Sequence, residues 1–294
     1  MSDHPDAAVW LDGALRDPAE ARVSWADHGL TVGDGVFETL KLVDGAPFAL
    51  TRHLDRLRRS AAGMGLDVPD DGVLRAAVEE VTGAWGARAG RLRITLTGGE
   101  GPMGSDRGGA APTLLLVATS GRSVTGSSTV ALVGWTRNEQ GALAGLKTTS
   151  YGENVVALAA AARVGADEAL VTNTRSELCE GTGSNVFVVT GGRVLTPPLG
   201  SGCLAGITRE LLLEAAAGGP SPVEESVLTV QDLLDADEVF LTSSLRDVQP
   251  VARLHDLRDP HATAVRDWTT PGPLTVTCAQ VWSDAFGPGG AVDP

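Results

Sequence analysis

Of the 23 basic side chains in this 294-residue chain only two are lysine, Lys41 and Lys147. Arginine replaces lysine wherever a permanent positive charge suffices. It cannot do so where an amine must shed a proton and attack a carbonyl, because guanidinium stays protonated. A lysine kept in so arginine-biased a chain is therefore a candidate for Schiff-base chemistry. Lys147 sits in Leu146-Lys-Thr-Thr-Ser-Tyr151, beside the only tyrosine. Further on, Glu180 closes an apolar-polar run and is followed at once by Gly-Thr-Gly-Ser-Asn185, which lets its carboxylate face a cleft. A carboxylate held near a pyridine nitrogen keeps that nitrogen protonated and turns the ring into an electron sink. Leu204-Ala-Gly-Ile-Thr-Arg-Glu210 reads as a loop entering a helix. The first N–H groups of such a helix and the Thr208 hydroxyl make a neutral phosphate cradle reinforced by the helix dipole. After a strand, Thr242-Ser-Ser-Leu-Arg246 adds the hydroxyls of Ser243 and Ser244 and one cation. Taken singly, each feature is ordinary, and Gly-Ile-Thr is more often a plain N-cap. In this order they reinforce one another.

These residues need elements to hold them. Val36–Val43 alternates faces and predicts a strand closed by the Asp44-Gly45 turn. Leu54, Leu57 and Ala61 recur at helical spacing in residues 51–64, and a second helix after Pro69 places Val73, Ala77, Val78 and Val81 on one side. Residues 91–97 and 112–118 predict strands joined by a glycine-rich loop. Residues 152–164 predict an alanine-rich helix, and 168–172, 184–189 and 193–196 predict strands, with a hairpin at Gly191-Gly192. Helices are expected at 208–217 and 231–235, and a strand at 238–242. The small, polar stretch 119–129 is the best candidate linker. The expected organisation is a small α/β half over 1–119, a linker over 120–130 and a larger half over 131–294, with a disordered tail from about 286. Strands do not alternate strictly with helices, so the fold class is α/β (α+β) with two mixed-sheet subdomains, not a doubly wound sheet or a barrel.

Composition narrows the function classes. A formal charge of −14, with 43% hydrophobic residues, describes a chain that can bury a full core and that a nucleic-acid phosphate surface would repel. Cys179, Cys203 and Cys278 lack the paired spacing of a zinc site or a disulfide framework. The polar N-terminus is wrong for a signal peptide and the longest apolar run is far too short for a bilayer, so a cytoplasmic protein with no membrane partner is expected. Gly99–Gly104 matches the letters of a dinucleotide fingerprint, but Pro102 and Glu100 spoil the helix start it requires. His28 and His53 lack metal-ligand company, and Asp27-His28 is expected to shape a turn.

On these motifs the chain resembles the class IV (fold-type IV) pyridoxal-phosphate enzymes: the branched-chain aminotransferases, the D-amino-acid aminotransferases and aminodeoxychorismate lyase. The resemblance runs nearly end to end. It rests on Gly33-Asp-Gly-Val-Phe-Glu-Thr39, His53-Leu-Asp-Arg-Leu57, Lys147, Glu180-Gly-Thr-Gly-Ser-Asn-Val-Phe187, Leu195-Thr-Pro-Pro198, Gly206-Ile-Thr-Arg209 and Asp237-Glu-Val-Phe240. It implies that Lys147 forms the internal aldimine of pyridoxal 5'-phosphate and that Glu180 pairs with the pyridine nitrogen. Arg56, Ile207, Thr208 and Ser244 are implied phosphate holders, with Ser184, Asn185, Gly206 and Ser243 beside them in the cofactor site. A homodimer is implied as well.

The branches diverge at the substrate. Branched-chain aminotransferases carry a tyrosine five residues after the lysine that contacts the cofactor's phenolic oxygen; here that position is Gly152, with Tyr151 one residue early and Asn154 or a water as substitutes. They also have Phe-Glu-Gly where this chain has Phe37-Glu-Thr39. The D-amino-acid branch grips the substrate carboxylate with an Arg-x-His pair after the strand at 91–97, where this chain has Gly98-Gly-Glu-Gly-Pro-Met103. Arg137-Asn138 leading to Lys147, and the Lys-x-x-Ser-Tyr-x-x-Asn run, look like aminodeoxychorismate lyase, a folate-pathway enzyme. That likeness implies a lyase in which Lys147 removes the C4 proton of 4-amino-4-deoxychorismate and pyruvate leaves, with Thr39 assisting. Phe37 and Tyr151 then belong to the substrate site, and Arg137 and Arg246 are candidate grips for its carboxylates. A class IV aminotransferase, and a non-catalytic binding protein on the same fold, remain open alternatives.

Overall fold

The computed structural model describes residues 6–121, 124–219, 221–258 and 264–294, and the chain divides into two compact units. The first comprises 1–123, 146–151 and 292–294; the second comprises 124–145 and 152–291. Part of the expected linker, residues 122–123, lies outside the described residues.

The first unit contains β1 (Ala7–Leu11), β2 (Ala14–Arg16), α1 (His28–Thr31), β3 (Gly35–Val43), β4 (Ala46–Pro47), α2 (Leu50–Met64), α3 (Asp71–Trp85), β5 (Gly90–Thr97) and β6 (Thr113–Thr119). Its antiparallel six-stranded sheet runs β2-β1-β6-β5-β3-β4. Period-2 alternation sorts β3 into a core face, Val36, Glu38, Leu40 and Leu42, and an opposite face, Phe37, Thr39 and Lys41. The core face meets Leu54, Leu57 and Ala61 of α2. On α3 the buried stripe is Leu74, Ala77, Val78, Val81 and Trp85, while Val73, expected inside, is 48% exposed. The i, i+3, i+4 series begins one residue later than expected. The glycine-rich loop after β5 leads to β6 rather than to a helix.

The second unit contains β7 (Ser128–Arg137), α4 (Gly152–Ala162), β8 (Glu168–Asn173), β9 (Leu178–Gly181), β10 (Asn185–Thr190), β11 (Arg193–Thr196), a 3₁₀ turn (Leu199–Ser201), α5 (Ile207–Ala216), β12 (Val223–Glu225), α6 (Val230–Leu234), β13 (Glu238–Ser243), β14 (Asp247–Asp256), β15 (Ala264–Asp267) and α7 (Pro273–Phe286). The strands order as β12-β11-β10-β13-β14-β7-β8-β9, with β15 on β14. Parallel pairs (β11 with β12, β14 with β7, β7 with β8) sit among antiparallel ones, so this sheet is mixed.

Three of the longer elements are among those that escape the sequence reading. β7 begins within the stretch taken for the linker, and its register breaks between Leu132 and Thr136, which blunts the alternation. β14 contains Pro250, a residue that argues against a strand interior. α7 mixes β-branched residues into its first turns and buries only Thr275, Cys278 and Trp282. The tail, expected to be disordered from about 286, is tied down at its end. Ala49 donates to the Val292 carbonyl, Asp293 accepts from the Thr51 N–H and hydroxyl, and the Arg52 Nε donates to the Pro294 carbonyl. Asp293 thereby caps α2, whose own N-cap Ala49 has no side chain to do so.

Candidate active site

In the first unit Lys147 is fixed by its backbone. Its carbonyl accepts from the Phe37 N–H at 3.0 Å and its N–H donates to the Ser60 Oγ at 3.1 Å. A Val36–Thr148 bridge seats the segment on the edge of β3. The Lys147 Nζ lies 4.4 Å from the Phe37 ring centroid and 5.8 Å from that of Tyr151, and the two rings meet edge-on at 5.1 Å. Tyr151, whose substrate role came from resemblance alone, is thus a wall beside the amine. Thr39 shares the Phe37 face, and opposite it in register stands Arg93, whose guanidinium lies 3.7 Å from the Phe37 ring. Burial lowers the Arg93 pKa, with Tyr151 opposing. The sequence reading missed Arg93. In a strand of alternating arginines, nothing local separates a cation that stacks on an aromatic ring from one that is merely solvated.

Arg56 is 4% exposed. Its Nε and Nη2 donate to the Glu38 carboxylate at 2.8 and 2.6 Å, and the His53 Nδ1 lies 2.6 Å from the same group. Two of the three guanidinium nitrogens are thus committed to an internal carboxylate. Burial pushes Glu38 up, but Arg56 and His53 overcome it and hold the carboxyl well below its ordinary range. Burial lowers His53 despite the facing carboxylate, so the imidazole is neutral near pH 7.

In the second unit Glu180 is the penultimate residue of β9, 8% exposed. Its Oε2 accepts the Leu204 N–H at 2.9 Å and its Oε1 lies 3.4 Å from the Arg137 Nη2. Arg137 also donates to the Asn154 Oδ1 at 3.1 Å, and Asn154 donates in turn to the Thr182 carbonyl. Arg137, expected to grip substrate, therefore stands first against Glu180. Asn185 donates to the Leu204 carbonyl, so one residue ties Glu180 to the segment entering α5. Gly206 is the N-cap of α5 and supplies no side-chain cap, while Ile207 and Thr208 are buried. A Cβ on Gly206 would stand 2.0 Å from the Asn185 Oδ1, so only glycine fits. An uncapped N-terminus of a ten-residue helix, joined through Leu204 to a buried carboxylate, fits a ligand with a phosphate at one end and a protonated ring nitrogen at the other.

The loop carrying Ser184 is organised by Glu168, which the sequence reading did not single out. This buried carboxylate accepts the N–H groups of Thr182 and Gly183 and the Ser184 hydroxyl at 2.9 Å. Ser243 ends β13 and Ser244 enters the turn to β14. Arg246 pairs with the Gln249 amide oxygen and lies 3.7 Å from Glu168. It lines a cleft with Thr275 and Pro271, separate from the one that Arg137 lines. The two arginines expected to act together on the substrate thus line different clefts.

Residues 35–254 match the family model for amino-transferase class IV. The chain belongs to that family. It is 33% identical over 270 residues to a bifunctional aminodeoxychorismate lyase / D-amino acid transaminase of Mycobacterium tuberculosis, covering 85% of this chain and 90% of that one. It is 30% identical over 276 residues to a D-alanine aminotransferase of Bacillus licheniformis, covering 91% and 93%. Among solved structures, a branched-chain aminotransferase of Thermoproteus uzoniensis superposes with a TM-score of 0.85 at 31% identity, covering 94% and 93%. The class IV enzyme is thus a fold-type IV protein that depends on pyridoxal phosphate. The alternative of a non-catalytic binding protein is set aside by this membership. Among the described residues no helix is long and apolar enough to cross a membrane.

Proposed function

We propose that this class IV enzyme is a lyase that converts 4-amino-4-deoxychorismate to 4-aminobenzoate and pyruvate. One observation carries the reading: the Lys147 amine lies against Phe37 and Tyr151 on the β3 face that presents Thr39, opposite Arg93. An amine on a face that also carries a hydroxyl and a cation suits removal of a proton from a carboxylate-bearing substrate. Pyridoxal phosphate, when bound, supplies the carbonyl that takes up an amine and the ring that withdraws electrons from the adjacent bond.

In this reading Lys147 takes the proton from the substrate's C4, the C3–oxygen bond breaks, pyruvate leaves and the ring becomes aromatic. Thr39 assists the proton's movement and Phe37 and Tyr151 flank the ring. Glu180 holds the cofactor's ring nitrogen protonated. Arg56, Gly206, Ile207, Thr208, Ser243 and Ser244 take its phosphate, with Ser184 and Asn185 shaping the loops between. Arg93, on the face that Lys147 lies against, is the candidate partner for a substrate carboxylate, since Arg137 and Arg246 line different clefts and do not grip two carboxylates together. The absence of an Arg-x-His pair from 98–103 and the Lys-x-x-Ser-Tyr-x-x-Asn run support the lyase over the D-amino-acid branch.

The purified enzyme should release pyruvate and 4-aminobenzoate in equal amounts from aminodeoxychorismate. No pyruvate, with amino-group exchange between an amino acid and 2-oxoglutarate, would establish the aminotransferase instead. The D-alanine aminotransferase similarity, spread over 91% of the chain, favours that second reading. A cytoplasmic homodimer completes the proposal, and light scattering of the holoenzyme tests the dimer.

A further inference from the structure

One aromatic ring in the first unit serves two cations. The Arg93 guanidinium carbon lies 3.7 Å from the Phe37 ring centroid, and the Lys147 Nζ lies 4.4 Å from the same point. Whichever faces of the ring they take, the two charges stand no more than about 8 Å apart, the sum of those distances. Strand register brings this about. Arg93 pairs with Thr39 and Phe37 with Thr95, so Arg93 reaches Phe37 along the diagonal. Its Nε donates to the Thr95 Oγ1 at 3.2 Å, which holds the side chain in that lean. A guanidinium keeps its charge at every working pH, whereas an amine can give its charge up. Only Lys147 can relieve the repulsion.

Within the first unit the neighbouring charges do not offset Arg93. Lys147 packs on the edge of β3 through Phe37 and on α2 through Ser60. On β3, Glu38 is spent on Arg56 and His53 of α2. Burial lowers His53, with the charges of Arg56 and Lys147 adding to it, so the imidazole is neutral near pH 7. Arg59 of α2 is exposed. Lys41 and Arg91, paired with each other on the face of Arg93, add positive charge. The Tyr151 phenol is uncharged near pH 7. We propose that Arg93 is a positioning residue that acts through Lys147: by sharing the Phe37 ring it favours the neutral amine, the form that attacks a carbonyl and accepts a proton. This rests on the role of Lys147 as base in the proposed reaction, and adds what keeps that base free. Arg93 is partly open to solvent, which weakens the effect without cancelling it. Two unit charges about 8 Å apart move a titration by roughly 0.4 to 1.5 pH units, for effective dielectric constants of about 80 to 20.

The test reads the amine without substrate or turnover. The full-length chain, freed of pyridoxal phosphate, is pulsed with acetic anhydride between about pH 6 and 11, and peptide mapping follows acetylation of Lys147 and Lys41. A Tyr151→Phe background removes the phenol, which titrates in the same range. Lys41, whose ammonium stands 5.7 Å from the Phe48 ring instead, is the internal reference. Arg93→Met should raise the Lys147 midpoint by about 0.4 to 1.5 pH units in dilute buffer, and Lys41 should move less. The difference should shrink by half or more in about 1 M salt, as a charge effect must. Arg93→Gln, with the same expected shift, repeats the measurement if the methionine variant loosens the fold. An unmoved Lys147 midpoint, an equal change at Lys41, or a shift indifferent to salt would each overturn the proposal. No substrate is present, so a carboxylate-holding role of Arg93 cannot produce the shift. The pyruvate assay is separate: a shifted midpoint without pyruvate release removes the lyase and leaves the tuned amine, and pyruvate release with an unmoved midpoint does the reverse.

Discussion

Glu38→Gln is the sharpest test of how the first unit is held together. The carboxylate is fully buried, and it accepts two hydrogen bonds from Arg56 and one from His53. Glutamine keeps the shape and removes the charge, leaving the Arg56 guanidinium, with a side chain only 5% exposed, without its carboxylate. Breaking a buried ion pair from one side costs about 3–5 kcal/mol. At roughly 2–4 °C per kcal/mol for a chain of this size, the melting temperature should fall by about 6–20 °C. Calorimetry at pH 7 reads this directly. The double variant Glu38→Gln/Arg56→Met should recover part of the loss, because the buried guanidinium that lost its carboxylate is then removed as well.

The pH dependence gives the same answer with a definite sign. Glu38 is held below its ordinary range, so its contribution is complete above the unfolded pKa of about 4.3 and disappears as pH falls below it. His53 is also lowered, so the unfolded chain binds a proton that the folded one refuses, and stability declines as pH falls through about 6.5. The wild type should therefore lose stability in two acid windows, and Glu38→Gln should lack the lower one. A melting temperature within about 2 °C of wild type, with an unchanged acid profile, would refute the reasoning.

Borohydride treatment of the holoenzyme should label Lys147, and the label should vanish in Lys147→Ala and persist in Lys41→Ala, as peptide mapping will show; a label that follows Lys41 removes the assignment. Gly206→Ala forces a Cβ to within 2.0 Å of the Asn185 Oδ1. It should cost about 1–3 kcal/mol in thermal stability and weaken cofactor binding in a titration, as the Asn185–Leu204 hydrogen bond gives way. The buried thiols should resist a disulfide reagent. Burial and the nearby Glu180 raise Cys203 to about 11, burial and Glu238 raise Cys278 to about 11, and burial raises Cys179 further. At pH 8 the thiolate of Cys203 or Cys278 is roughly one part in a thousand. Prompt native labelling would contradict that burial.

Much of the candidate site is legible in the linear chain because its groups are local. Glu180 is released by the glycines after it, Thr208 follows its own N-cap, and Phe37 and Thr39 share a face through the two-residue period of a strand. The class IV family and its cofactor were readable for the same reason, as short motifs in a set order. Pairings across long separations were not readable. That Arg56 spends two nitrogens on Glu38, that Arg137 stands against Glu180, and that Arg93 stacks on Phe37 depend on strand register and helix packing, which no neighbouring residue announces. β14 and α7 were hidden similarly: a proline or a β-branched run weakens the local signal, and burial against other elements supplies the stability that propensity does not. Residue type and spacing set which chemistry the chain can perform, whereas the charge environment of each group is a sum over neighbours that only the folded arrangement brings within a few ångströms.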